Sequence, residues 1–495
     1  MTDRVLTWLA ATAAALAAAF TAWSLGGGHP MAAVVPMALL LGVVVAGLAL
    51  TRFGAFVLLL LAVRPMVDLV KLSGPTAGPA GVDGEGGVSR AFDPSTLLAV
   101  LFLVAAGLWL AARARSSAAP GFSAPAGGPG AGGGTAGLRT SPLGVALLLV
   151  GATCLISALG ADRPANSLLE ALRVLTVVVM FVVLEQLVPD RRYARRVLLA
   201  TYLALAAVVA YTVLTSLTGH PPAEVKGSFV RITGPFAQST TFGRYLMFLL
   251  IFGVALYRYL SGRARAALAV LLGLSFVALM LTNTRSAILG VAIGLVVVAV
   301  LQRSGRMLVA LALTTVLGLA LLPAVGDRFA QLADARAVGG APTGNTLAWR
   351  FGYWTEIMSL ANRNPVTGIG PNMTQFQTEE AKKPHNDFLR AYVETGVVGL
   401  AAYVAMVVLL LLSGLRALRR APPGTLQRGV AAGFAGCAVA FVSVSAASNV
   451  VSSVATLWYL MAFAAVAGAP AARAAPARQL TPSQPAAANP REATH

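Results

Sequence analysis

Two cysteines and four histidines are all that a chain of 495 residues contains. Cys154 and Cys437 both lie inside apolar runs, which excludes a disulfide framework and reads as small buried hydrophobes. No His/Cys/Asp group has metal-ligand spacing, so neither a metal nor any other cofactor is expected. Charge is scarce as well. Only 11% of residues are charged, where a soluble domain carries roughly 25%. Acidic residues are fewest: 18 Asp and Glu stand against 37 Lys and Arg, for a formal charge of +19. In a soluble protein such a balance suggests nucleic acid. Here lysine and arginine are better read as holding loops against anionic lipid, and no nucleic acid partner is expected. There is no Walker loop, no dinucleotide fingerprint and no G-x-S-x-G elbow. Asp83-Gly84-Glu85 has the spacing of a metal-dependent transferase loop, but a glycine-rich loop with two solvated acids explains it equally well.

What remains is hydrophobic. At 57% apolar residues, the chain repeats runs of about 18 to 20 residues, each long enough to cross a hydrocarbon core. The expected fold is an all-α polytopic membrane protein with about fourteen transmembrane helices. Their approximate limits are 5–25, 31–50, 54–71, 95–112, 142–160, 168–188, 197–218, 241–257, 266–282, 284–302, 307–324, 387–412, 429–447 and 451–468. Basic clusters at Arg191–Arg196, Arg258–Arg265, Arg303–Arg306 and Arg416–Arg428 then fall on one side, the cytoplasmic one, together with both termini.

The resulting organisation has six parts. N-terminal spans occupy 1–113, a Gly/Ala/Pro-rich cytoplasmic linker 114–141, and central spans 142–324. A large, partly helical extracytoplasmic loop occupies 325–385, C-terminal spans 386–469, and a disordered cytoplasmic tail 470–495. In the loop, Asn345 or Thr346 can cap a helix whose apolar face holds Trp349, Phe351, Trp354, Ile357 and Met358. Asn364-Pro365 and Gly368-Ile369-Gly370-Pro371 make a turn-rich return.

Polar residues gather at the extracytoplasmic ends. Arg285 lies at the outer end of a span, between Thr284 and Ser286; Arg244 and Arg173 sit in the outer turns of two others. Arginine inside a membrane is costly and faces a wet cavity or a partner. Guanidinium groups grip phosphate oxygens bidentately, so converging arginines suggest a diphosphate site. Arg285 is hardest to explain otherwise, because the span continues directly after it; the other two also have plainer readings. Arg244 snorkels to the interface, and Arg173 pairs with Glu170 one turn away. Arg350, on the loop helix, is either a solvated side chain or an electrostatic lid over phosphates; Arg231 is a weaker candidate of that kind. His385 precedes a helix capped by Asn386 or Asp387. The positive end of the helix dipole favours a neutral imidazole able to accept a proton, while a nearby diphosphate favours the charged form. Arg390 and Glu394, four residues apart, form a supporting pair, and Gly396 and Gly399 allow close packing.

Three patches together resemble the O-antigen ligase and polymerase superfamily. They are Thr284-Arg285-Ser286; Arg350-Phe-Gly-Tyr-Trp354 with Asn364-Pro-Val-Thr-Gly-Ile-Gly370; and His385-Asn386 followed by Glu394-Thr-Gly396 and Gly399. The resemblance spans roughly residues 230–410 and implies a plasma-membrane (inner-membrane) glycosyltransferase with its active site on the extracytoplasmic face. It implies as partners a polyprenyl diphosphate-linked glycan, typically on undecaprenyl diphosphate, a glycan or lipid acceptor, and the membrane lipids. It gives Arg285 and Arg350 the diphosphate and His385 the acceptor hydroxyl, with no metal. The chain departs from the family in about two extra spans and the 114–141 linker. A transporter or flippase of lipid-linked glycans is the alternative, although its polar breaks should lie near mid-membrane in matching halves. A wall polymerase of the shape-and-division type would need a loop carboxylate, for which Glu356 is the candidate.

Overall fold

The computed structural model describes residues 42–69, 94–118, 138–226, 229–309, 347–378 and 382–469. The expected span at 5–25, most of that at 307–324, Asp83 and Glu85, the Asn345–Thr346 cap, most of the linker and the 470–495 tail lie outside the described residues. The described chain is helical almost throughout. Its helices are α1 (Gly42–Thr51), α2 (Phe53–Val67), α3 (Pro94–Ala118), α4 (Pro142–Leu159), α5 (Pro164–Leu187) and α6 (Arg191–Leu217). They continue as α7 (Ser239–Tyr257), α8 (Gly262–Leu281), α9 (Arg285–Leu301), α10 (Leu347–Ala361) and the single turn α11 (Thr374–Gln377). The last three are α12 (Asp387–Arg420), α13 (Leu426–Ser445) and α14 (Val454–Gly468). Among the described residues, eight helices are long and apolar enough to cross a membrane, and four more are apolar but shorter.

The helix starts follow from local chemistry. Ser141 caps α4 by accepting from the Gly144 amide, with Pro142 in the first turn; Asp190 caps α6 through the Arg192 amide. Arg191 to Arg196, expected as a loop, form the first turns of α6, where arginine costs little helix propensity. The all-α expectation omits one element. Residues Ala223–Lys226 (β1) and Phe229–Ile232 (β2) pair as an antiparallel hairpin in which Glu224 faces Arg231.

Helix α7 runs through the middle of the bundle, with Phe242, Tyr245, Phe248 and Phe252 fully buried. It packs against α8, α9, α13 and α14. Phe252 stacks on Phe463 of α14 at 3.8 Å. Helices α9 and α13 cross at Gly294 and Gly436, where a Cβ on Gly436 would lie 2.8 Å from the Gly294 carbonyl oxygen. Such crossings are how apolar helices gain dispersion contacts where lipid offers no hydrophobic drive.

Three basic clusters share one end of this bundle. Arg258, at the end of α7, donates to the Gln302 carbonyl just past α9 at 3.1 Å, and Gln302 donates to the Ala255 carbonyl at 2.9 Å. Tyr259 lies against Gly429 in the first turn of α13. The opposite ends of α7, α9 and α13 therefore meet at the other pole. There stand Ser239–Arg244, Arg285 and the segment joining α13 to α14.

Candidate functional site

The second pole is organised by residues 446–453, Ala-Ala-Ser-Asn-Val-Val-Ser-Ser, between α13 and α14. A stretch this polar between two apolar helices must find partners for its backbone, and the rest of the pole supplies them. From α7, Arg244 Nη1 donates to the Asn449 carbonyl at 2.9 Å and to Ser453 Oγ at 2.7 Å, while Nη2 donates to Ser448 Oγ at 2.5 Å. From α10, Arg350 Nη1 donates to the Ala447 carbonyl at 2.9 Å. Asp387 Oδ2, at the start of α12, accepts from the amides of Val450 and Val451 at 2.8 and 3.2 Å. Arg390 Nη1 donates to Ser452 Oγ at 2.6 Å. His385 Nδ1 lies 3.5 Å from Asn449 Nδ2.

Of the residues singled out by sequence, His385, Arg350, Arg244 and Arg390 thus converge on one eight-residue segment. Arg390 is also the hub of a buried ion network, bonded to Glu394 at 2.8 Å and to Glu170 at 3.0 Å. Arg173 reaches the same Glu170 at 3.4 Å. Asn386 rather than Asp387 caps α12, its Oδ1 accepting from the amides of Phe388 and Leu389. A cavity of about 50 Å³ beside this network is lined by Asp387, Arg390, Glu394, Tyr403 and Thr153. That is room for one or two waters. A larger cavity of about 290 Å³ lies beside the hairpin, against Tyr211, Glu224 and Thr233.

Arg285 reaches the pole by another route. It is the first residue of α9, after a tight turn in which Asn283 has φ +51°. Arg231 braces that turn, donating to the Thr282 carbonyl and Thr284 Oγ1, both at 2.9 Å, and pairing with Glu224 at 3.2 Å. Thr284 packs on Gly243, the neighbour of Arg244. Arg231 is therefore a buried brace for the residue that carries Arg285.

The large loop holds His385 in place. On α10 the buried face is Tyr353, Ile357, Leu360 and Ala361, at helical spacing but rotated from the expected one: Phe351 is 63% and Met358 41% exposed. This face packs on Ile369, Met373 and Val393. Tyr353 Oη donates to the Lys382 carbonyl, and Trp354 Nε1 donates to the Pro384 carbonyl at 2.7 Å. His385 follows with φ +54°, a left-handed conformation that costs a non-glycine residue about 1 kcal/mol or more and survives only where the surroundings impose it.

The return limb of the loop is fixed just as firmly. Gly396, with φ +68° and ψ −171°, breaks α12 after its first nine residues. The backbone of 365–370 fills the break: Ile369 and Gly370 amides donate to the Val393 and Glu394 carbonyls, both at 3.0 Å, and the Val397 amide donates to the Pro365 carbonyl at 2.8 Å. A Cβ on Gly396 would stand 2.0 Å from the Val366 carbonyl oxygen. A Cβ on Gly368 would likewise stand 2.4 Å from the Glu394 backbone, so both glycines are required by backbone-on-backbone approach.

The arginines differ in what they have left to offer. Arg244 is 6% exposed, and both its terminal nitrogens are engaged by the 448–453 stretch. Arg350 is only partly buried, and its Nε meets no acceptor among the described residues. Burial pushes its guanidinium down from the ordinary arginine value. A buried N–H of this kind is satisfied by an anion or a water. Five cations (Arg173, Arg244, Arg350, Lys383, Arg390) gather here around three carboxylates (Glu170, Asp387, Glu394). The excess is positive. Buried Lys383, Asn449 and the serines beside it escape a hydropathy reading. For Asn449 and the serines the one signal is the cluster of Ser and Asn from 443 to 453 between two apolar spans.

No curated protein matches the chain. Residues 267–404 match the sequence model of the O-antigen ligase family. The match encloses Arg285, Arg350, His385, Arg390 and Glu394 and ends before the 446–453 segment. It supports a membrane glycan-ligase type of function and a glycosyltransferase-like enzyme. Residues 267–404 are thus similar to the O-antigen ligase domain, in agreement with the resemblance of the chain's motifs to that superfamily.

Proposed function

We propose that the chain transfers a glycan from a polyprenyl diphosphate to an acceptor hydroxyl at the pole that holds His385. That pole lies opposite the basic clusters and, by the positive-inside tendency, faces away from the cytoplasm. The observation that carries the proposal is the attachment of Arg350 and His385 to neighbouring residues of one segment, Ala447 and Asn449, with Arg350 donors left over.

In this reading Arg350 and Arg285 hold the diphosphate. Arg285 adds the positive N-terminal end of α9, a 17-residue helix, to its own charge, and such an end favours anions. Arg244 and Arg173 act one step back: Arg244 fixes the 446–453 segment, and Arg173 balances Glu170. Asn386, Arg390 and Glu394 set the start of α12 and so the position of His385. The chemistry is a displacement. His385 takes the proton of the acceptor hydroxyl, the oxygen bonds to the anomeric carbon, and the bond from that carbon to the diphosphate breaks. The electron pair leaves with the diphosphate, whose charge the arginines stabilise. No step calls for a metal. The geometry serves a ligase and a polymerase alike, since both use this donor and a hydroxyl acceptor.

A transporter of the same lipid is favoured by one feature, the broken helix at Gly396. That break is filled by the protein's own backbone from 365 to 370, which favours a built site over a path. The test uses purified protein in lipid vesicles with a lipid-linked oligosaccharide and an acceptor. Release of polyprenyl diphosphate, lost in His385→Ala while donor binding persists, is the expected result. Movement of the intact lipid without bond breakage would overturn it, as would full turnover by the histidine variant.

A further inference from the structure

We propose that Asn449 is a positioning residue that sets the tautomer of the His385 imidazole, by presenting its side-chain oxygen to Nδ1. The inference rests on the reading of His385 as the base and deepens it.

The backbone of Asn449 is clamped from both sides. Its carbonyl accepts from Arg244 Nη1 at 2.9 Å, and the next two amides donate to Asp387 Oδ2 at 2.8 and 3.2 Å. The residue is 5% exposed, so its short side chain has little room to drift. The histidine is held independently, through Trp354 on the Pro384 carbonyl and the Asn386 cap. Two separately fixed groups therefore meet at Nδ1, which is how a reacting side chain is held to a productive geometry.

Which amide atom faces the ring decides whether the histidine can work. A neutral imidazole carries one N–H and one acceptor nitrogen. If the amide nitrogen donates to Nδ1, the ring proton must sit on Nε2, and Nε2 then has no lone pair for the acceptor hydroxyl. If the amide oxygen faces the ring, Nδ1–H donates to it and Nε2 is left as the base. The oxygen and nitrogen of an amide exchange places by a half turn. The turn breaks no bond of the oxygen: Asn449 Oδ1 is buried and meets no donor among the described residues. The turned amide does a second job. Once Nε2 has taken the proton, both ring nitrogens carry hydrogen, and the oxygen continues to accept from Nδ1–H beside the new charge. Nδ1 and the amide lie 3.5 Å apart, a loose contact of the kind that tightens when substrate binds.

Four histidines in the whole chain make the test direct. Full-length protein labelled with 15N-histidine, in lipid nanodiscs, gives imidazole nitrogen shifts; the His385 signals are those lost in His385→Gln. Wild-type His385 should be neutral with the proton on Nδ1. Asn449→Asp, which keeps an acceptor oxygen, should preserve that tautomer, and Asn449→Ala should move it towards Nε2–H. In turnover, Asn449→Ala should lower kcat about a hundredfold with KM for the lipid-linked donor within about twofold, and Asn449→Asp should recover most of the loss. A wild-type proton on Nε2, or a tautomer unchanged in Asn449→Ala, overturns the proposal. Full turnover by His385→Gln would instead remove the base assignment itself, an outcome read in a different sample by a different measurement.

Discussion

Trp354 donates its indole Nε1–H to the carbonyl oxygen of Pro384 at 2.7 Å, one residue before His385. A helix of the large loop thereby fixes the approach to the imidazole. Trp354→Phe keeps the ring packing and deletes the bond, at about 1 kcal/mol of stability. Its expected mark is kinetic: kcat for polyprenyl diphosphate release falls about tenfold, because small misplacements of a reacting group cost much in rate. Unchanged kcat would show that His385 is held by other contacts.

Arg350 and Arg244 should separate cleanly. Arg350→Ala removes donors meant for the diphosphate, so donor affinity should fall about ten- to a hundredfold, in line with charged hydrogen bonds of about 1.5–3 kcal/mol. Arg244→Ala releases three bonds to the 448–453 stretch and should lower stability by about 3 kcal/mol. Isothermal binding of the lipid and thermal melts in detergent measure the two. A stable Arg244→Ala variant with weakened lipid binding would return Arg244 to the diphosphate.

Gly396→Ala and Gly424→Ala form a matched pair. Both positions have positive φ, +68° and +75°, but only at Gly396 does an added Cβ meet backbone, at 2.0 Å from the Val366 oxygen. Strain alone at Gly424 should cost about 1 kcal/mol. At Gly396 the cost should be about 3 kcal/mol or more, read as lost folded yield or a lowered Tm. Equal effects would mean that the 365–370 limb moves away freely.

Turnover should survive a chelator. Among the described residues no group of His, Cys, Asp or Glu is arranged to hold a metal ion, and the proposed step needs only an imidazole and guanidinium charge. Activity that falls more than about twofold in chelator and returns with added Mg²⁺ would require a metal in the site.

The helices were legible because membrane burial writes itself into composition: α4, α7, α9 and α13 begin within a few residues of the apolar limits. The residues proposed to carry the chemistry stand out in the sequence for a related reason. Arginine and histidine are conspicuous in a chain with so little charge. Three features were not. The hairpin at 223–232 has strands of only four residues each, too short for an apolar alternation to stand out, and a charged Glu224–Arg231 pair lies across it. The buried face of α10 was misplaced because aromatic residues occur all around that helix, so spacing alone did not choose between Phe351 and Tyr353. The 446–453 segment looked like a three-residue gap between spans. Its importance comes from partners some 60 to 210 residues away in sequence, which no local pattern contains.

Gly368 and Gly396 bring the descending limb of the large loop into backbone contact with α12, so this side of the pole is a rigid wall and not a flap. In the proposed transfer, such a wall would fix how deep a sugar sits without limiting how far a chain extends along it. One imidazole at its foot can then act on the terminal unit of a short oligosaccharide or a long one, with the same reach in either case.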